Sequence, residues 1–365
     1  MRVGKRCLAQ LKTTEACFGQ QYTRVFMERK KTMLTIRENL METMKKDGHP
    51  DRFVKGFEFV NLIPETSYFM GDYPVMPMDH DQLGYDHYGV LWSFPVGQMG
   101  SFPLHDEEHT LVKDITCWRD VVKRPVLPPV DGYWQMLKGK AQGTDRSEKF
   151  VCSLHPQGVF ERLHSLMGME DCFINFYEEP EAMEDLIDFI VDVELEYAQA
   201  MIERVGIDAV LHHDDWGTTN NSFLSPDMFE EFILPAYKKI YGFYKENGVL
   251  IIHHNDGYGA NLVDFMIEMG VDIWQGVIPD NDLPALLEKT DGKLTFMGEI
   301  ESRRIDLPSW TKEKVEEEVE RACRKVGPHR NFIPCLTAGM PFSSVPGVDR
   351  AVDEAIDRMS RELFR

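Results

Sequence analysis

Val249-Leu250-Ile251-Ile252 runs directly into His253-His254-Asn255-Asp256-Gly257. Four apolar residues followed at once by imidazole and carboxylate groups read as a buried parallel strand with a polar C-terminal end. The pattern recurs. Ala209-Val210-Leu211 leads into His212-His213-Asp214-Asp215-Trp216, and Asn331-Phe332-Ile333-Pro334 leads into Cys335. Ionisable groups gathered at the ends of successive parallel strands are how an α/β barrel builds an active site. The mix of His, Asp, Glu and Cys points to a metal, zinc first.

Outward from these stretches the chain alternates. Strands are predicted at 150–154, 206–211, 249–252, 273–277, 294–298 and 331–335, with helices at 159–167, 183–204, 226–247, 283–289, 312–325 and 348–363. Ser225-Pro226-Asp227 opens one of them as a cap followed by proline in the first turn. Upstream, Thr35 caps a helix over 35–48, and Phe57 to Ile63 reads as a first strand. Short apolar strands alternating with helices mean a parallel sheet covered on both faces. Seven strands are clear. No GxGxxG follows the first strand and no GxxxxGK[ST] occurs, so a dinucleotide site or P-loop is not supported. The expectation is a closed (β/α)8 TIM barrel rather than an open doubly wound sheet.

Two segments break the rhythm. Residues 72–131 are rich in Gly, Pro, His, Met and aromatics, and read as a long insertion over the barrel mouth. Tyr68, Phe69, Met70, Met76, Met78, Tyr85, Tyr88, Trp92, Phe94 and Met99, in it or beside it, suit an apolar pocket or the packing of a lid. Residues 1–32 are basic in an otherwise acidic chain and read as a loosely attached extension, with Met33 as a plausible start. Residues 33–365 then form a single barrel domain.

The 365 residues are 43% hydrophobic and 28% charged, the composition of an ordinary globular protein. A net charge of -21 argues against nucleic acid and against an anionic membrane surface. Seven cysteines without a CxxC pair point to reducing cytoplasm rather than a secreted disulfide framework. No apolar run approaches the roughly 20 residues of a membrane span.

The candidate chemistry sits at the strand ends. His254 and Asp256, two apart, with Cys335 from the last strand, make a zinc set with one open position, and Glu299 or Glu301 offers a fourth ligand or a general acid. In His212-His213-Asp214-Asp215-Trp216, adjacent carboxylates repel, so one takes a raised pKa and serves as a general acid while the other caps a helix or anchors a loop. His213, Asp214 and Asp215 are therefore candidate catalytic residues. His155, His212 and Trp216 are candidates for substrate contact.

Gly206-Ile207-Asp208-Ala209-Val210 through Asp214-Asp215-Trp216-Gly217, then Leu224-Ser225-Pro226-Asp227-Met228-Phe229 and Leu234-Pro235, resemble the uroporphyrinogen decarboxylase superfamily. So do Gly270-Val271-Asp272 and Phe296-Met297-Gly298. The resemblance covers roughly residues 150–350 and implies an α/β barrel. The family's N-terminal arginine motif, MRQAGR, is absent from this sequence. The superfamily also holds cobalamin-linked methyltransferases, whose strand-end His-x-Cys-Gly and late cysteine bind zinc. His254-Asn255-Asp256-Gly257 fits that frame with Asp256 in the cysteine's place, and Cys335 matches the late cysteine. The resemblance is nearest the branch that removes methyl groups from methoxylated compounds. It implies a methyltransferase acting on a small methoxylated, aromatic substrate, with the leaving oxygen activated by zinc or by a protonated carboxyl group, and passing the methyl to a corrinoid protein. The alternative it implies is a decarboxylase of a tetrapyrrole or other carboxylic acid.

Overall fold

The computed structural model describes residues 33–63, 80–98, 100–128, 131–328, 330–338 and 344–364. The basic segment 1–32 and Tyr68, Phe69, Met70, Met76, Met78 and Met99 lie outside them. Residues 35–365 form one unit of structure. Strand β1 (Val60–Ile63) is followed by three short strands, β2 (Leu83–Tyr85), β3 (Leu91–Ser93) and β4 (Phe102–Pro103). Then come β5 (Phe150–His155), β6 (Ala209–His213), β7 (Leu250–His254), β8 (Ile273–Val277), β9 (Thr295–Ile300) and β10 (Phe332–Leu336). The large sheet has the order β1-β5-β6-β7-β8-β9-β10, and every neighbouring pair is parallel.

The expected eighth strand does not occur among the described residues. The extended pieces between β1 and β5 pair antiparallel with one another, in the order β2-β3-β4. A backbone bond from the Gly56 N–H to the Pro334 carbonyl, at 3.4 Å, reaches across the seam between the segment before β1 and strand β10.

The longer helices are α1 (Ile36–Thr43), α2 (Asp131–Gln142), α3 (Val159–Met167), α4 (Met169–Glu178), α5 (Pro180–Ala200), α6 (Leu234–Glu246), α7 (Val263–Met269), α8 (Leu283–Thr290), α9 (Lys312–Val326) and α10 (Val348–Leu363). Thr35 caps α1 as read from the sequence: its hydroxyl accepts the Glu38 N–H at 3.1 Å, and the Glu38 carboxylate accepts the Thr35 N–H at 2.9 Å. The single helix expected over 226–247 is broken. A short turn at Pro226–Met228 and a π-helical turn at Phe229–Ile233 precede α6. Pro235 has no N–H for the bond to residue 231, so the regular ladder cannot run through.

Side chains alternate across the sheet. Cys152, Leu211, Ile252, Ile273, Met297 and Ile333 fill the inside of the curl with Leu40 and Phe59. Val151, Val210, Ile251, Trp274 and Phe296 face the surrounding helices. Each such side chain, taken out of water, contributes roughly 1.5–3 kcal/mol. Among the described residues no helix is long and apolar enough to cross a membrane.

The described part of the 72–131 segment docks on α3 and α5. Asp86 accepts from Arg162 at 2.5 Å and from the Trp92 indole at 3.2 Å, all buried. The Tyr88 and Trp118 rings lie 6.5 and 5.0 Å from Phe189. These aromatics serve packing.

Candidate functional site

The histidine pairs prove to lie within strands β6 and β7, not after them. Adjacent strand residues face opposite sides, so each His-His pair supplies both faces of the sheet. Register then aligns them: His213 beside His254 beside Gln275 on the inner face, and His155 beside His212 beside His253 on the outer face.

On the inner face His213, Asp215 and His254 come together, with one ligand atom from each within 4.8 Å of the others. His213 Nε2 lies 3.9 Å from Asp215 Oδ2, and His254 Nε2 lies 3.8 Å from Asp215 Oδ1. The opposite nitrogen of each ring is held. His213 Nδ1 pairs with Glu161 Oε2 at 2.8 Å, and His254 Nδ1 pairs with Gln275 Oε1. His254 is 2% exposed, whereas His213 and Asp215 keep 20% and 28%, so the cluster opens at the Asp215 side.

Charge follows from these contacts. Burial pushes His254 down to about 4, with His213 adding to the effect, so it is neutral. Burial also opposes a charge on His213, but the Glu161 carboxylate and its hydrogen bond outweigh it and lift His213 to about 10. Asp256 stands next to the cluster with its N–H on Asp215 Oδ1 at 3.0 Å. Burial, then the Asp215 charge, raises its carboxyl to about 7.

Asp214 takes the anchoring role. Its carboxylate accepts from the Phe160 and Glu161 N–H groups at 3.0 and 2.8 Å, from the Trp216 indole at 2.9 Å and from the Tyr237 hydroxyl at 2.6 Å. It thus caps the first turn of α3 from a neighbouring strand. Burial and Glu161 raise it to about 7 against the pull of these donors. The approach is close enough to require Gly158, where a Cβ would collide with the Tyr237 hydroxyl and sit 2.6 Å from Asp214 Cβ. Trp216 is buried beside it, stacked on His253 at 3.9 Å.

His155 and His212, candidates for substrate contact, instead face outward and meet Glu194 of α5. His212 Nε2 is 2.8 Å from Glu194 Oε2, and His155 Nε2 is 3.6 Å from Oε1. The expected set of His254, Asp256, Glu299 and Cys335 is not assembled. Glu299 is buried against Arg321 and Lys325 of α9, at 2.8 and 2.9 Å. Cys335 packs among the apolar residues inside the curl, where burial raises its thiol far above the usual range. Glu301 is bound by Arg303, which also reaches Asp280 at 3.2 Å.

Sequence reasoning missed Glu161, Gln275 and Glu194. Gln275 was legible in principle, as a polar residue at the inward position of an otherwise apolar strand. Glu161 lies in the first turn of the helix that follows β5, at the same rim.

Residues 158–359 match the model of the family described as Uroporphyrinogen decarboxylase (URO-D). The uroporphyrinogen decarboxylase of Carboxydothermus hydrogenoformans is 35% identical over 86 residues, 24% of this chain and 23% of that protein. That of Geotalea daltonii is 25% identical over 186 residues, 51% of this chain and 52% of that protein. The chain therefore spans about half, or less, of the length of these curated relatives. A solved methyltransferase from Methanosarcina mazei superposes with a TM-score of 0.62 over 89% of this chain and 99% of that one, at 14% identity, a likeness of fold.

Proposed function

From the premise that this chain belongs to the uroporphyrinogen decarboxylase (URO-D) family, we propose that it is a methyltransferase. It takes a methyl group from a methoxylated aromatic substrate and delivers it to a corrinoid carried by a partner protein, with zinc at the inner cluster. One observation carries this reading: the Nε2 atoms of His213 and His254 converge on the two oxygens of Asp215 while Glu161 and Gln275 hold the opposite ring nitrogens. Metal-binding histidines are oriented by such partners, and two imidazoles with one carboxylate make a zinc set that leaves a position open.

In the proposed transfer the methyl–oxygen bond would break with its electron pair left on oxygen, and the methyl would pass to the partner's corrinoid, which in its reduced form would supply the electron pair for the new bond. The oxygen is a poor leaving group until its charge is neutralised. Zinc, when bound, supplies Lewis-acid polarisation of that oxygen. The protein's own groups prepare the site for it. Glu161 and Gln275 fix the two rings, Asp215 spans them, and Asp256 holds a proton beside them near neutral pH. The buried, neutral His254 needs no deprotonation before it coordinates, whereas His213, held charged by Glu161, gives up a proton when metal binds.

The relatives' own activity supports a second reading, decarboxylation of a tetrapyrrole or other acid. Substrate carboxylates call for unpaired cations, whereas the cation of the described cluster, His213, is already held by Glu161 at 2.8 Å and faces Asp215 at 3.9 Å. That contrast favours the methyl transfer.

The test is metal content together with turnover. Zinc-supplied protein is assayed for methyl transfer from methoxylated aromatic acids to cob(I)alamin, and for loss of carbon dioxide from uroporphyrinogen. Methyl transfer that disappears in His254→Ala supports the proposal. Decarboxylation without any methyl transfer overturns it in favour of the second reading.

A further inference from the structure

The outer face of the same strands carries a second cluster that the proposed chemistry does not use. We infer that His155, Glu194 and His212 form a separate, buried zinc site that pins helix α5 to the sheet.

The ligand atoms of these three residues lie within 4.8 Å of one another, and all three residues are buried. Zinc bonds of about 2.0–2.2 Å at tetrahedral angles set neighbouring ligand atoms roughly 3.3 Å apart. The measured separations, 2.8 Å from Glu194 Oε2 to His212 Nε2 and 3.6 Å from Glu194 Oε1 to His155 Nε2, bracket that spacing. The two imidazoles are already stacked, with centroids 4.5 Å apart and planes 20° from parallel. Register fixes this, because His155 and His212 are direct partners across β5 and β6.

The protein alone leaves the cluster short of hydrogen bonds. His212 Nδ1 is buried with no hydrogen-bond partner, and Glu194 Oε1 has no hydrogen bond beyond its 3.6 Å ion-pair contact with His155 Nε2. Interior polar atoms are almost always satisfied, and an unsatisfied one calls for an explanation such as an ion. A cation between the three residues gives Glu194 Oε1 a close partner in place of the 3.6 Å contact with His155 and neutralises the buried carboxylate. His2Glu is a zinc set without sulfur.

This site stands apart from the inner cluster, although His212 and His213 are neighbours in the chain. Strand alternation puts them on opposite faces, so one strand serves two ions.

The experiment counts zinc per chain by mass spectrometry after equilibration with zinc chloride and gel filtration, in four full-length proteins. Wild type is expected to hold two ions, Asp215→Asn/His254→Ala one, Glu194→Gln one, and the triple variant none. Should the inner cluster bind no metal, wild type holds one ion that survives Asp215→Asn/His254→Ala and is lost in Glu194→Gln, so the two proposals fail separately. If Glu194→Gln does not fold, zinc-edge absorption on Asp215→Asn/His254→Ala decides. A shell of nitrogen and oxygen with two imidazoles supports the site. A folded Asp215→Asn/His254→Ala protein without zinc overturns it, as does a folded Glu194→Gln protein with undiminished zinc.

Discussion

The rings of His213 and His254 stack with centroids 4.3 Å apart and planes 19° from parallel, each turning its Nε2 toward a different oxygen of Asp215. Two strands and the loop after one of them thus deliver three donor atoms to one point without help from distant segments. Every part of that geometry follows from parallel register, since His213 and His254 are direct partners across β6 and β7.

Removing a donor should therefore empty the inner cluster while leaving the fold intact. Asp215→Asn and His254→Ala are expected to lose the inner zinc and at least about a hundredfold in methyl transfer, equivalent to roughly 3 kcal/mol of barrier. Zinc per chain and the transfer rate are the measurements, with circular dichroism as the folding control. Full activity in either variant refutes the assignment.

Gln275 acts through His254, so its effect should be graded. Gln275→Leu removes the acceptor that orients the ring, and zinc affinity should fall about 10- to 100-fold without vanishing. Competition against a chromogenic chelator reads this directly. An unchanged affinity would mean that Gln275 has no part in holding His254.

Asp214 is expected to matter for stability. Asp214→Ala leaves two backbone N–H groups, an indole and a phenol without their acceptor. Each hydrogen bond to a charged group is worth about 1.5–3 kcal/mol, so the variant should lose several kcal/mol in urea unfolding. Tyr237→Phe, which removes one donor, should lose about 1.5–3 kcal/mol. Equal losses in the two would sink the idea that the carboxylate works as a four-way anchor.

The sequence showed where to look but not which residues meet. Apolar runs ending in His and Asp located the rim, and alternating strands and helices predicted the parallel sheet. What the runs could not reveal was where each strand stops. With the histidines inside β6 and β7, period-2 alternation sends His212 and His253 outward and His213 and His254 inward. Proximity across the curl was equally hidden. Cys335 ends its run just as His254 does, yet it packs among Ile333, Met297 and Cys152. Glu299 stands at the end of β9 with a φ of +68° and turns to Arg321 and Lys325 on α9. Glu161 carried no motif at all, because its role depends on a helix packing beside another strand.

Cys335→Ala separates the two ligand sets. The thiol is packed with apolar neighbours, so the variant should keep its full zinc content and lose only about 1 kcal/mol of stability. Zinc content and urea midpoint together test this. Loss of zinc in a folded Cys335→Ala protein would restore the thiolate as a ligand.

The last expectation concerns acid. His164, on α3, is pushed down to about 4 by burial, with His105 and Arg162 adding to the effect and Asp215 opposing it. Its folded pKa lies below the unfolded value of about 6.5, so between about pH 6.5 and 4 the unfolded chain binds a proton that the folded one refuses. Stability is then fully present above about pH 6.5 and falls as pH drops toward 4. The melting temperature of wild type should decline across this window. In His164→Gln, which cannot take up the proton, the decline should be smaller by about a few degrees. Melting curves at pH 7.5, 6 and 5 make the comparison. Parallel declines in the two proteins would place the acid sensitivity elsewhere.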